Sequence, residues 1–131
     1  MPAEKRAEAR RWRLPRRRIL RGRGAFEAVF EKGKTVRGRY VTGFYLCEGE
    51  QFRVGFAVSR KVRRKVDRNR AKRRVREAYR RCQYGFPKRG SAVLVAREDV
   101  LEAPWQDLMR DVEELGQKLC QLDSESGQVT G

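Results

Sequence analysis

The sequence predicts an α+β fold: one small α/β sandwich with helices packed on a mixed sheet. Three observations carry this expectation. Residues 36–59 hold runs of β-branched and aromatic residues broken by a polar turn containing Gly49. Residues 71–82 and 105–122 carry apolar side chains at helical spacing. Between these two segments, Ala92 to Ala96 is apolar at every position, as in a central strand covered on both faces. A strand pair followed by a strand–helix–strand unit gives two layers around one core.

At 131 residues the chain has room for one domain with tails: a basic arm over 1–18, a domain over 19–122 and a polar tail over 123–131. The first 23 residues contain 10 basic and two acidic residues with Pro2 and Pro15. They read as a mobile arm that orders on a polyanion, or as a plain solubilising tail. Gly24 to Lys32 then form a short helix ended by Gly33. Its Ala25/Val29 and Phe26/Phe30 pairs exceed what one buried stripe needs. Either both phenylalanines are core, or part of that face lines a groove for a flat partner.

Val36 to Cys47 and Gln51 to Ser59 read as strands joined in a β-hairpin by Glu48-Gly49-Glu50, with room for a further short strand. Val54, Phe56 and Val58 should face the core. Gly55, Ala57 and Ser59 leave the other face nearly bare, open to a ligand or packed tightly under another element. Gln83 to Gly90 is a loop. Pro104 opens a closing helix whose Trp105, Leu108, Met109, Val112, Leu115, Leu119 and Leu122 make a broad core stripe.

Charge singles out the middle helix. From Arg60 to Arg81 there are 13 Lys or Arg against Asp67 and Glu77, a net +11 of the chain's +16. Ala71, Val75, Ala78 and Cys82 share one helical face, while Asn69, Arg73, Arg76 and Arg80 lie opposite. Asp67 is placed to cap the first turn. Like charges at i, i+4 each cost a few tenths of a kcal/mol, and a bound polyanion would offset that cost. Arg outnumbers Lys 25 to 8, which favours bidentate phosphate contacts and stacking on bases. Residues 98–125, by contrast, carry a net −7, so the closing helix should lie away from nucleic acid.

Several classes fall away. With no His, there is no His-based acid/base catalysis and no His-containing zinc site. Cys47, Cys82 and Cys120 are odd in number and far apart, so buried free thiols in a reducing cytoplasm are expected. No apolar run approaches the roughly 20 residues of a membrane span. No helix sits just before the basic one, as a helix-turn-helix DNA reader would require. The charge indicates a nucleic-acid-binding protein, and a structural RNA-binding protein is one such reading. A self-sufficient nuclease would have to draw on Asp107, Asp111, Glu113 and Glu114.

The run Arg53-Val-Gly-Phe-Ala-Val-Ser-Arg-Lys-Val, followed by Arg68-Asn-Arg-Ala-Lys-Arg-Arg-Val-Arg-Glu77, resembles the protein subunit of bacterial ribonuclease P. Phe26-x-x-x-Phe30-x-x-Gly33 and the Ala92–Ala96 strand stand in matching order, and the likeness covers roughly residues 18–122. It implies an α-β-β-β-α-β-α order like the second domain of a small-subunit ribosomal protein, with a left-handed βαβ crossover. It also implies a function as one subunit of an endonuclease that removes the 5′ leader of precursor tRNA. The RNA subunit, with Mg²⁺ bound mainly to it, would be the catalyst. The protein would contribute no catalytic or metal-binding residue and cleave nothing specifically alone. Partners would be the ribonuclease P RNA, one protein per RNA, and precursor tRNA, with neither DNA nor membrane.

By position, Arg68, Asn69, Arg70, Lys72, Arg73, Arg74 and Arg76 would meet the catalytic RNA. Phe26, Phe30 and Phe44 would line the leader cleft, with Arg60 and Lys61 at its edge. A one-residue shift of register would give Tyr45 the part of Phe44. Where the family often has small residues before the Arg-Asn-Arg box, this chain has Arg63-Arg64-Lys65.

Overall fold

The computed structural model describes the backbone of residues 14–129 and side chains as far as Asp123. Helix α1 spans Arg23–Lys32, α2 Lys65–Cys82 and α3 Trp105–Val129; strands β1 to β4 span Lys34–Arg37, Val41–Leu46, Arg53–Val58 and Ser91–Ala96. The sheet order is β1-β2-β4-β3, with β3 parallel to β4 and the other pairs antiparallel. The mixed sheet and the α-β-β-β-α-β-α order are as expected. No helix among the described residues is long and apolar enough to cross a membrane.

The strand pairing differs from the expected hairpin. β2 and β3 do not pair, because β4 lies between them, and Glu48-Gly49-Glu50 instead carries the chain across it. The hairpin that does form is β1–β2, turning through Gly38, Arg39 and Tyr40. β4 wins the central place because Ala92, Val93, Leu94 and Ala96 are buried and offer no polar face to solvent.

Each sheet face has its own layer. Val41, Tyr45, Val54, Phe56, Ala92, Leu94 and Ala96 pack against Ala71, Val75, Ala78 and Tyr79 of α2 and Leu108, Val112, Leu115 and Leu119 of α3. The middle helix thus buries Tyr79 as well as its expected small residues, edge-on to Phe86 at 4.8 Å. On the other face Val93 packs with Val29 of α1 and with Leu20. Close approach on both faces depends on glycine. A Cβ at Gly43 would sit 2.7 Å from Leu115, and one at Gly55 would collide with the Phe26 ring.

Three expected boundaries move. The arm reading falls mostly on residues 1–13, outside the described residues. From Leu14 onward, however, the chain is docked: Leu20 is buried and its N–H donates to the Val54 carbonyl along the β3 edge. α2 starts at Lys65, so Asp67 lies within the first turn and is not its cap. There it still faces the positive end of the helix dipole. The backbone of α3 stays helical to Val129, beyond the end of its apolar stripe. The cysteines are free, as expected, but only half-buried. Burial nevertheless pushes the Cys82 thiol up to about 12.

Two carboxylates tie distant elements together. Asp111 on α3, only 7% exposed, accepts the N–H groups of Arg39, Tyr40 and Val41 at 2.7–3.0 Å, fixing the β1–β2 turn. Asp123 accepts from the Cys47 thiol at 3.1 Å and from Arg89 Nε at 2.9 Å. Those two hydrogen bonds, the thiol's first, hold its carboxyl below the usual carboxylate range against the opposing effect of burial.

Asp111→Ala strands three backbone donors. It should cost on the order of 3 kcal/mol and lower Tm by about 10 °C, with Asp111→Asn losing less. Asp123 contributes stability above its unfolded pKa of about 3.9, and this is lost as pH falls through the lower folded value. Asp123→Asn should therefore flatten the acid limb of a Tm-against-pH curve.

Candidate nucleic-acid interface

α1 is ten residues long and covers only part of its sheet face. Beside it lies an open groove of about 510 Å³ lined by Thr35, Arg37, Thr42, Phe44, Ser59, Val95 and Arg97. Its floor is the strand face opposite the main core. That floor includes the Phe44 ring, and Arg37 and Arg97 bring two guanidinium groups to its side. Arg97 is anchored at the β1–β2 turn, where Nη1 donates to the Gly38 carbonyl at 3.2 Å.

The two phenylalanines of α1 divide between the alternatives left open by the sequence. Phe26 lies over Gly55 and packs against the smaller core, whereas Phe30 is 40% exposed. Phe30 meets Phe44 edge-on with ring centroids 4.9 Å apart. Strand parity also decides between Phe44 and Tyr45: Phe44 shares the face of α1, and Tyr45 is buried on the other side beside Phe52. Arg60 and Lys61 are exposed and follow directly from Ser59 at the groove.

The cationic helix divides as well. Asn69, Arg70, Lys72, Arg73 and Arg76 are exposed. Arg68 is half-buried, with Nη1 donating to the Ser59 carbonyl at 3.0 Å and the Val62 carbonyl at 2.9 Å. Arg74 also turns inward, donating to the carbonyls of Val100 and Ala103 ahead of α3. Arg80 is paired with Glu77, whose carboxyl is held below its usual range chiefly by that hydrogen bond. α3, with its exposed Glu113 and Glu114, lies across the sheet from the groove. Asp111 is committed to the β1–β2 turn, so an alanine there would test folding before any chemistry.

Sequence reasoning did not find Thr35, Arg37, Thr42, Val95 or Arg97. Strand parity with Phe44 would have pointed to Thr42. The others depend on which strands become neighbours.

The structure is a small α+β domain with an arginine-rich helix joined by a short loop to an aromatic-floored cationic groove. Sequence comparison narrows the class. Residues 14–120 match the ribonuclease P family. The chain is 38% identical over 112 residues to the ribonuclease P protein component of Symbiobacterium thermophilum, covering 81% of this chain and 94% of that one. To the corresponding Desulfovibrio desulfuricans protein it is 40% identical over 97 residues, 72% of this chain and 75% of the relative. The solved ribonuclease P protein of Thermotoga maritima superimposes with a TM-score of 0.68 at 28% identity, covering 76% and 96% of the two chains. The Staphylococcus aureus ribonuclease P protein shares the fold with a TM-score of 0.65 at 21% identity, over 79% and 94%. The chain therefore belongs to the ribonuclease P protein family, as the protein component of that tRNA-processing enzyme.

Full burial of a Phe is worth about 3–5 kcal/mol on truncation to Ala, and exposure reduces this. Phe26→Ala should cost about 2–3 kcal/mol and Phe30→Ala about 1 kcal/mol, measured by urea denaturation. Equal costs would mean that Phe30 belongs to the core.

Proposed function

We infer that this chain binds the catalytic RNA of ribonuclease P through α2 and holds the single-stranded 5′ leader of precursor tRNA in the groove beside α1. The observation that carries the reading is the half-exposed Phe30 set against Phe44, at an open groove flanked by Arg37 and Arg97. Stacking on aromatic rings contributes about 1–3 kcal/mol per base whatever the base, which suits a subunit that meets many leader sequences. Arg37, Arg97, Arg60 and Lys61 would follow the leader's phosphates.

Asn69, Arg70, Lys72, Arg73 and Arg76 are the side chains that would reach the catalytic RNA. The protein contributes position and charge while the RNA does the chemistry, so alone it would cleave nothing specifically. Mg²⁺ would be held mainly by RNA phosphates; among the described residues no three His, Cys, Asp or Glu stand together as a cage for it. One protein per RNA, acting in the cytoplasm, completes the proposal.

The test is single-turnover cleavage of a precursor tRNA by a bacterial ribonuclease P RNA at limiting Mg²⁺. Adding the protein should stimulate cleavage strongly at the mature 5′ end. Tight RNA binding without stimulation would favour a structural RNA-binding protein. Arg73→Ala should lower the salt slope of protein–RNA assembly by about one, as loss of a phosphate contact does. Phe30→Ala should shrink the affinity gap between leader-bearing and leaderless tRNA while assembly is retained.

A further inference from the structure

Arg68 opens the Arg-Asn-Arg box, yet its guanidinium points back into the protein. Nη1 bridges the Ser59 and Val62 carbonyls at 3.0 and 2.9 Å, and Nη2 lies 3.4 Å from the Val58 carbonyl. These groups bound the turn between the end of β3 and α2. Ser59 is its hub. Its N–H donates to the Ala96 carbonyl at 2.8 Å, its carbonyl also accepts from Val62 N–H at 3.1 Å, and its hydroxyl accepts from Lys61 N–H at 3.3 Å. Ser59 also lines the groove. Val62 is buried, so the turn is pinned at both ends.

We propose that Arg68 is a positioning residue for the groove: it clamps the 58–62 turn so that Ser59, Arg60 and Lys61 stand where the leader passes. This rests on the leader-binding reading above and assigns Arg68 a role other than a phosphate contact. Arg60, Lys61, Arg63, Arg64 and Lys65 repel one another, and the Arg68 fork adds its hydrogen bonds to those that hold the turn against that repulsion. A planar guanidinium spreads its donors over a rigid fork that meets the Ser59 and Val62 carbonyls through Nη1 and faces Val58 through Nη2, whereas an ammonium offers its three donors from one nitrogen on a flexible stem. The clamp also links α2 to the groove: RNA that fixes the helix fixes the groove wall with it.

Arg68→Lys decides, because it keeps the charge and loses the fork. Holoenzymes reconstituted with ribonuclease P RNA are compared for wild type, Arg68→Lys, Arg68→Ala and Arg70→Ala. The readouts are the affinity ratio of leader-bearing to leaderless tRNA and the salt slope of assembly. Both Arg68 variants should lose about tenfold of that ratio, the scale of one well-placed base contact, with leaderless binding and salt slope at wild-type values. Arg70→Ala should do the opposite, keeping the ratio and lowering the slope by about one. A Lys variant with the wild-type ratio, or an Arg68→Ala slope reduced like that of Arg70→Ala, overturns the inference. If Arg68→Ala fails to fold, the Lys variant alone carries the test. A wild-type protein with no leader preference would remove the leader reading and this inference with it. A wild-type preference that survives in Arg68→Lys removes only the inference.

Discussion

β4 has no side suited to water. Four of its six residues are buried, Ala92, Leu94 and Ala96 on one face of the sheet and Val93 on the other, where Val95 packs beside it. A strand of this kind has to lie inside the sheet and be covered twice. On one side α2 and α3 provide the cover. On the other there is only α1, whose ten residues extend about 15 Å. The part of the face that α1 does not reach is the groove. The candidate binding site is thus the remainder of a covering problem, and its floor of Thr42, Phe44 and Val95 is an uncovered stretch of sheet.

The same economy governs the charge. α2 packs through Ala71, Val75 and Ala78, small enough to bring its backbone close to the sheet, with Tyr79 its one large buried side chain, which leaves most of its circumference to arginine and lysine. Cations at its N-terminus meet the positive end of the helix dipole, and Asp67 alone offsets them in the first turn. Arg68 and Arg74 lessen the crowding by turning toward backbone carbonyls, which accept charge-assisted hydrogen bonds. The cations that remain exposed are those whose mutual repulsion a polyanion would relieve.

Much of this was legible in the sequence because it is local. The apolar spacing of α2 and α3, the all-apolar β4 and the division of strand faces follow from helix and strand periodicity. What escaped was set by residues far apart in the chain. The insertion of β4 between β2 and β3 cannot be read from the Glu48-Gly49-Glu50 turn, which looks like a hairpin turn whichever strand follows. Asp111 is 72 residues from the amide of Arg39 that it accepts. Its place at the edge of the apolar stripe, three residues after Leu108 and four before Leu115, sets it apart from Glu113 and Glu114, but the partner it would meet there is not local. Arg68 and Arg70 are both arginines of one box. Only the three-dimensional path of residues 58–62 shows that the first is turned inward while the second is exposed. Phe44 and Tyr45 are separated by strand parity alone, and that parity becomes useful once the partner strand is known.

The groove's components also bear on how it would behave as a binding surface. Thr42, Phe44 and Val95 sit on strands within the sheet, and Arg97 at the end of β4 is held by the β1–β2 turn that Asp111 fixes. Little ordering is then left to occur on binding, so less contact energy is lost to entropy. An aromatic ring and two guanidinium groups would discriminate poorly among bases, because stacking and phosphate contacts read shape and charge. Rigidity in the groove and the indifference to base identity proposed for it are compatible. The first comes from burying the strands beneath the groove, and the second from exposing only rings, hydroxyls and cations above them.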